Sequence, residues 1–320
     1  MKKFIYFIVV TIVLLLLLEL SAICISAYSY VKAGRNFNIE DIKYNLTPIL
    51  YERITDVSTC QDDDSFCLND IRPIAGKEYN NSPITVFGCS YAYGHYLKNN
   101  QIFSYKLSKI VEHPVYNRAF PGKGLSNMYF QVLDEEFYKM VPPSDYIIYI
   151  MIDDHYRRVL SVNFDPFEYW QVYNYKYDKK QDKLILTNYL PLNRILYNSY
   201  LYRLIKAFQI NKYVNNPKNA EELTDFVLAH FVKSKEELEK HWNKKVNFII
   251  VLYDDVKYSD LLREKLGKNG FVVVDVPSLT NENLDEPQYK MQDNWHPTEA
   301  AWDLLTPLIV EDLEKKGIRF

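Results

Sequence analysis

Apolar positions along this chain follow two rhythms. Five short runs stand out after residue 83: "ITVFG" at 84–88, "PVYNRAF" at 114–120, "DYIIYIMI" at 145–152, "VNFIIVLY" at 246–253 and "FVVVDV" at 271–276. They are rich in β-branched and aromatic residues, as strands buried on both faces are. Between them "QIFSYKLSKIVE", "NMYFQVLDEEFYKM", "YSDLLREKLGKNG" and the closing "TEAAWDLLTPLIVEDLEKKG" repeat apolar residues at helical spacing. Strands alternating with helices predict an α/β fold, a doubly wound and mainly parallel five-stranded sheet flanked by helices.

Two segments break that rhythm. The first is "FIYFIVVTIVLLLLLELSAICISA", preceded by Lys2 and Lys3 and interrupted by Thr11, Glu19 and Ser21 before its end. Its length matches the ~20 residues that span a bilayer as a helix, so residues 1–28 are expected to be a transmembrane anchor. The lysines place the N-terminus in the cytoplasm and the body outside it. Small residues near Ala27 leave a cleaved signal peptide as the alternative, and the body is exported under both readings. Residues 29–80 are polar and mixed, a stalk or linker packing on a body of residues 81–320. The second segment, 160–245, is a long insertion. It is Tyr- and Asn-rich at first and then carries the charged helical pattern "NAEELTDFVLAHFVKSKEELEKHW", read as a cap over one end of the sheet or an interaction surface.

Composition adds limits to this picture. With 320 residues and 48% of them hydrophobic, the chain can fill a sizeable core. Its 38 basic and 41 acidic residues leave a net charge of −3, so no global field gathers nucleic acid, and none is expected as a partner. Cys60 and Cys67 bracket the acidic loop "CQDDDSFC" and are either a short disulfide formed in an oxidising compartment or two free thiols.

In open parallel sheets, ligands bind outside the carboxyl ends of the strands. Three loops there carry suggestive residues. After the first strand come Gly88, Cys89 and Ser90, with Gly94 four residues on. Glycines allow a sharp turn into a helix start, whose N–H groups can stabilise an oxyanion near Ser90, although an ordinary turn has the same composition. The second loop, "NRAFPGKGLSN", offers an unobstructed N–H at Gly122 or Gly124. Late in the chain, "DNWHPTEAAWDLL" puts Asp293 three residues before His296, at the mouth of an amphipathic helix. The carboxylate can reach Nδ1 of the imidazole there and leave Nε2 free to take a proton from a hydroxyl.

Together these segments resemble the SGNH (GDSL-type) hydrolases. Gly88-Cys89-Ser90-Tyr91-Ala92-Tyr93-Gly94 is similar to the first block of that family, with Cys89 where Asp is more usual. "NRAFPG" is similar to the second, and Asp293-Asn294-Trp295-His296-Pro297 to the last. The resemblance covers residues 81–320 in order, and its specificity lies in the combination. It implies Ser90 as nucleophile, His296 as general base and then acid, Asp293 as the group orienting His296, and an oxyanion hole at Ser90 and Gly122. It implies no metal and no organic cofactor.

The third block departs from the family. Where members read Gly-x-Asn-Asp, with the Asn side chain donating to the oxyanion, this chain has Met151-Ile152-Asp153-Asp154-His155, followed by Arg157 and Arg158. An ionised Asp153 cannot donate, and one lost donor costs about a hundredfold in rate. Either Asp153 is turned away or held protonated, or a neighbour such as His155 or an arginine supplies the positive end. Asp154, His155 and Arg157 are accordingly candidate accessory residues.

The expected function is that of a membrane-anchored, extracytoplasmic serine esterase or O-acyltransferase. Its expected substrate is an acyl ester, with O-acetyl groups of a cell-surface glycan suggested by location and by the 28 tyrosines. The alternative is a catalytically impaired SGNH-fold module for binding or assembly in an envelope polysaccharide system.

Overall fold

A computed structural model of the chain describes residues 2–32, 71–160, 175–186 and 199–320. The strands are β1 (Ile84–Gly88), β2 (Val115–Asn117), β3 (Tyr146–Met151), β4 (Tyr175–Asp178), β5 (Lys183–Leu186), β6 (Asn247–Leu252) and β7 (Val272–Asp275). Five of them, each inside one of the expected runs, form a parallel sheet in the order β2-β1-β3-β6-β7. β4 and β5 pair separately as an antiparallel hairpin.

The chain winds outward from β1 to β2, then returns to build β3, β6 and β7 on the other side. The winding therefore reverses between β1 and β3, and a crevice opens beyond their carboxyl ends. Register puts Gly88, the last residue of β1, opposite Ile150 of β3.

The described helices are α1 (Lys2–Lys32), α2 (Ser90–Tyr93), α3 (Phe103–Val111), α4 (Leu125–Val132), α5 (Glu135–Met140), α6 (His155–Val159), α7 (Tyr200–Val214), α8 (Ala220–Trp242), α9 (Ser259–Lys268) and α10 (Glu299–Lys315). Side chains alternate across the sheet. Ile148 and Ile150 of β3 join a core with Phe103 of α3 and Trp302 of α10, while Ile147, Tyr149 and Met151 join one with Met128 of α4, Phe231 of α8 and Leu262 of α9. Both faces are covered, so the strand sequences show no polar alternation.

Within the 160–245 insertion, α8 lies against the sheet, with the Phe231 ring 5.1 Å from Tyr149 of β3 and 5.9 Å from Phe248 of β6. This charged stretch is the crossover helix between those two strands, not a cap. Its buried residues Leu223, Val227, Phe231 and Leu238 fall on one face, and the charges take the other.

The N-terminal run forms one continuous helix, α1. Among the described residues no helix is long and apolar enough to cross a membrane. The expected disulfide of Cys60 and Cys67, and residues 33–70 of the expected stalk, lie outside the described residues. The last part of the stalk segment is attached to the body: Ala75 and Val115 form an antiparallel bridge through paired backbone bonds of 3.1 and 2.8 Å.

α10 brings the end of the sequence back onto α3, the helix that follows the Ser90 turn. Trp302 is fully buried, its ring 5.3 Å from Phe103 and 5.3 Å from Tyr253. At the rim, Lys106 of α3 pairs with Glu299 and Asp303, and Gln101 donates to Glu299 at 2.7 Å. Trp302→Ala should destabilise the fold by about 3–5 kcal/mol in chemical denaturation. Trp302→Phe should cost much less, because the buried indole N–H has no acceptor to lose. Equal losses for the two variants would contradict this account of the docking.

Candidate active site

The Ser90 turn is shaped by the glycines on either side of it. At Gly88 (φ +150°) a Cβ would lie 2.7 Å from Cβ of Ala92 and 3.0 Å from the Ile150 carbonyl oxygen. At Gly94 (φ +76°) it would lie 2.1 Å from Ile102. Only glycine fits either place, so strand, one-turn helix and exit are confined to seven residues.

Within that turn Cys89 and Ser90 diverge. Cys89 is fully buried in the core, and burial pushes its thiol up, away from the reactive thiolate. Ser90 is 7% exposed. Among the described residues no backbone acceptor takes up the N–H of Ser90 or of Gly122.

Two polar residues hold the turn from behind. Arg72, only 2% exposed, donates from Nε to the Tyr93 carbonyl at 3.1 Å, from Nη2 to those of Gly94 and Leu97 at 2.7 and 3.1 Å, and from Nη1 to Asn99 at 2.5 Å. Burial pulls its guanidinium down to about 10, only partly offset by Tyr93. Asn117, at the end of β2, donates to the Ala92 carbonyl at 2.8 Å.

The β2–β1 ladder runs on past β2. Arg118 N–H donates to the Val86 carbonyl at 2.7 Å and Phe120 N–H to that of Gly88 at 3.4 Å. This continuation carries Gly122 (φ +70°) to the end of β1, beside the Ser90 turn.

The third component arrives from the loop before α10. Asp293 Oδ1 accepts the N–H groups of Trp295 and His296 at 2.9 and 3.1 Å, and Oδ2 accepts a very short bond from Nδ1 of His296. Burial works against the Asp293 carboxylate, but the hydrogen bonds from His296 prevail and hold it well below the usual range. The His296 carbonyl accepts from Met291 N–H at 2.8 Å, which fixes the loop. The imidazole stands over α2, its ring 5.5 Å from Tyr91, 5.3 Å from His95 and 5.6 Å from Tyr96. The expected residues Ser90, Gly122, Asp293 and His296 are thus brought to one edge of the sheet.

Asp153 is turned away from that edge. Its carboxylate accepts the Lys257 N–H at 2.9 Å and pairs with the Lys257 ammonium. It is therefore removed as an oxyanion-hole group, and the reason is this competing cation on the next loop. Asp154 instead binds Nε of Arg157 at 2.6 Å and Nε of Arg158 at 2.7 Å. Despite burial, the two arginines hold its carboxyl below the usual range. His155 is fully buried, bonded through Nδ1 to the Tyr149 hydroxyl at 3.1 Å, and burial followed by Arg158 keeps its ring neutral.

Arg158, 8% exposed, was not among the named accessory residues but binds two of the three loops. It binds Asp154 of the third, donates from Nη1 to the Lys123 carbonyl of the second at 2.8 Å, and its charge bears on the Cys89 sulfur of the first. Gly124 packs directly on it: a Cβ there would lie 3.2 Å from Cβ of Arg158.

His95 and Asp254 complete the edge. Burial, then the charge of His296, lowers His95 to about 4, so it is neutral at pH 7. Asp254, after β6, accepts from the Asp153 N–H at 3.0 Å, and burial raises its carboxyl to about 7. Arg72 and Asp254 carried no motif in the sequence, since each acts through a partner far along the chain, and Asn117 lay in "NRAFPG" without a role assigned to it.

No family model and no curated protein matches this sequence. Among solved structures the chain is similar to TesA, at 7% identity and a TM-score of 0.41 over 73% of this chain and 98% of that one. It is similar to a member of the lipolytic protein G-D-S-L family from Veillonella parvula DSM 2008, at 14% identity and a TM-score of 0.40 over 72% of this chain and 96% of that one. A third is the acetyl xylan esterase Est2A from the rumen bacterium Butyrivibrio proteoclasticus, at 11% identity and a TM-score of 0.45 over 74% of this chain and 64% of that one. Scores below 0.5 at such identities are no ground for an activity.

The raised Asp254 carboxyl predicts a pH signature. From its ordinary 3.8 to about 7 the folded state keeps a proton that the unfolded state releases, so stability falls as pH rises through that window. Asp254→Asn, which keeps the acceptor oxygen, should match the native protein below the window and be more stable above it in chemical denaturation. Parallel pH curves for the two proteins would contradict the assignment.

Proposed function

We propose that this chain is a membrane-anchored, extracytoplasmic serine esterase or O-acyltransferase of the SGNH type. The observation that carries the reading is the Asp293–His296 hydrogen bond standing over a serine turn whose N–H is free of backbone acceptors.

In this mechanism Ser90 Oγ attacks the carbonyl carbon of an acyl ester while Nε2 of His296 takes the hydroxyl proton. Asp293 holds the Nδ1–H and stabilises the imidazolium. The oxyanion forms against the N–H groups of Ser90 and Gly122. Collapse expels the alcohol, which leaves with the proton from His296, and an acyl-Ser90 remains. Water or an acceptor hydroxyl then gives its proton to His296 and attacks the acyl carbon, and Ser90 Oγ leaves with that proton from His296.

With Asp153 committed to Lys257, the positive charge for this edge comes from Arg158. Its bonds to the loops of Lys123 and Asp154, and its contact with Gly124, make it a positioning residue for the oxyanion hole. The exposed rings of Tyr96 and Trp295, 47% and 50% accessible beside His296, give aromatic faces suited to a sugar, and support an O-acylated glycan as substrate. The anchor is supported by α1, where Leu14, Leu15, Leu16, Leu17 and Leu18 are all exposed although they point around the whole helix.

The missing third-block donor favours one alternative, a binding module of the same fold. Turnover of 4-nitrophenyl acetate by the full chain in detergent separates the two readings. Hydrolysis that is lost in Ser90→Ala with unchanged thermal unfolding is expected, and no hydrolysis by the folded native protein selects the module. Arg158→Lys, verified as folded by circular dichroism, should lower kcat about a hundredfold with a smaller change in KM. An unchanged kcat would remove Arg158 from the account.

A further inference from the structure

The insertion carries a second surface, far in sequence from the serine turn. α1 has one acidic residue, Glu19, which interrupts the apolar segment of residues 4–27 in its second half. A carboxylate at such a place is costly without partners. Here it caps α7: Glu19 Oε2 accepts from the Ser199 hydroxyl at 2.9 Å and from the Leu201 N–H at 3.2 Å, while Ser199 itself accepts from the Tyr202 N–H at 3.1 Å. Ala22, one turn on, is 1% exposed, so α1 meets the body along this side. α7 therefore starts beside the body-side half of the apolar segment.

Its two faces differ. Val214 is buried in the core, and Ile210 and Tyr213 pack against it. Ile205, Phe208, Gln209 and Lys212 are exposed and lie at i, i+3, i+4 and i+7, one stripe of the helix. Phe208 is 71% exposed and Ile205 46%. The fifteen residues of α7 contain Arg203, Lys206 and Lys212 and no Asp or Glu.

We infer that this stripe of α7 rests on the lipid headgroups of the leaflet from which α1 emerges, and so fixes the body close to the membrane surface. Apolar side chains flanked by cations, on a helix tied to an apolar helix, suit an interface containing anionic lipid. The inference rests on the proposed anchor, and Glu19 is the joint that sets the height of α7.

The test uses the full chain in vesicles of phosphatidylglycerol and phosphatidylethanolamine with brominated acyl chains. Cys24, Cys60 and Cys67 are replaced by Ser, and a bimane label is placed through Phe208→Cys or, as control, Lys268→Cys. Bimane at position 208 should be quenched several-fold more than at 268, and Glu19→Ala should reduce the difference. Equal, weak quenching in protein that floats with the vesicles would overturn the inference and leave the anchor standing. Protein that does not float with vesicles would overturn both.

Discussion

The docking of α10 on the β1–β3 side of the sheet is the contact on which the proposed chemistry depends. Ser90 and His296 lie far apart in sequence and share no secondary element. The loop of His296 is held over the serine turn because Trp302 is buried between Phe103, which follows that turn, and Tyr253, which follows β6. Packing of one large aromatic side chain thus sets the height at which the Asp293–His296 pair stands. The rim ion pairs of Lys106 add orientation more than stability, since their carboxylates are well exposed.

A second constraint is charge at a closed edge. Arg72 takes its partners from backbone carbonyls and one amide, with no carboxylate in its set, so its positive end holds the Ser90 turn without adding an anion beside the proposed oxyanion site. Asp154 is compensated by two arginines, Asp153 by Lys257, and Asp254 by retaining its proton. Each of these half-buried acids is compensated in a different way, as a partly desolvated carboxylate requires. Arg158 belongs to this arrangement because it compensates Asp154 and ties the loops together.

Much of this was legible in the sequence, for physical reasons. The five strands were visible because residues buried on both faces form uninterrupted apolar runs, and Gly88, Gly94, Asp293 and His296 because their geometry demands particular residue types at short spacing. Asp153 showed the limit: its residue type signalled a missing donor, but its direction depends on Lys257, about a hundred residues away. Arg72 sat in a segment read only as a stalk, and its acceptors are backbone atoms that leave no side-chain pattern. The role of α8 was misread for a related reason. Its charged face dominates the sequence, while the Leu223, Val227, Phe231 and Leu238 stripe that packs on the sheet is spread over four turns.

The central claim is that Ser90 is a nucleophile activated by His296 and Asp293. Its most direct test is the intact mass of the full chain after exposure to a fluorophosphonate, beside Ser90→Ala and His296→Ala. The account predicts one adduct per chain, absent from the Ser90 variant and formed far more slowly in the His296 variant. A folded native protein that takes up no adduct, or one that is labelled equally well without Ser90, would contradict it.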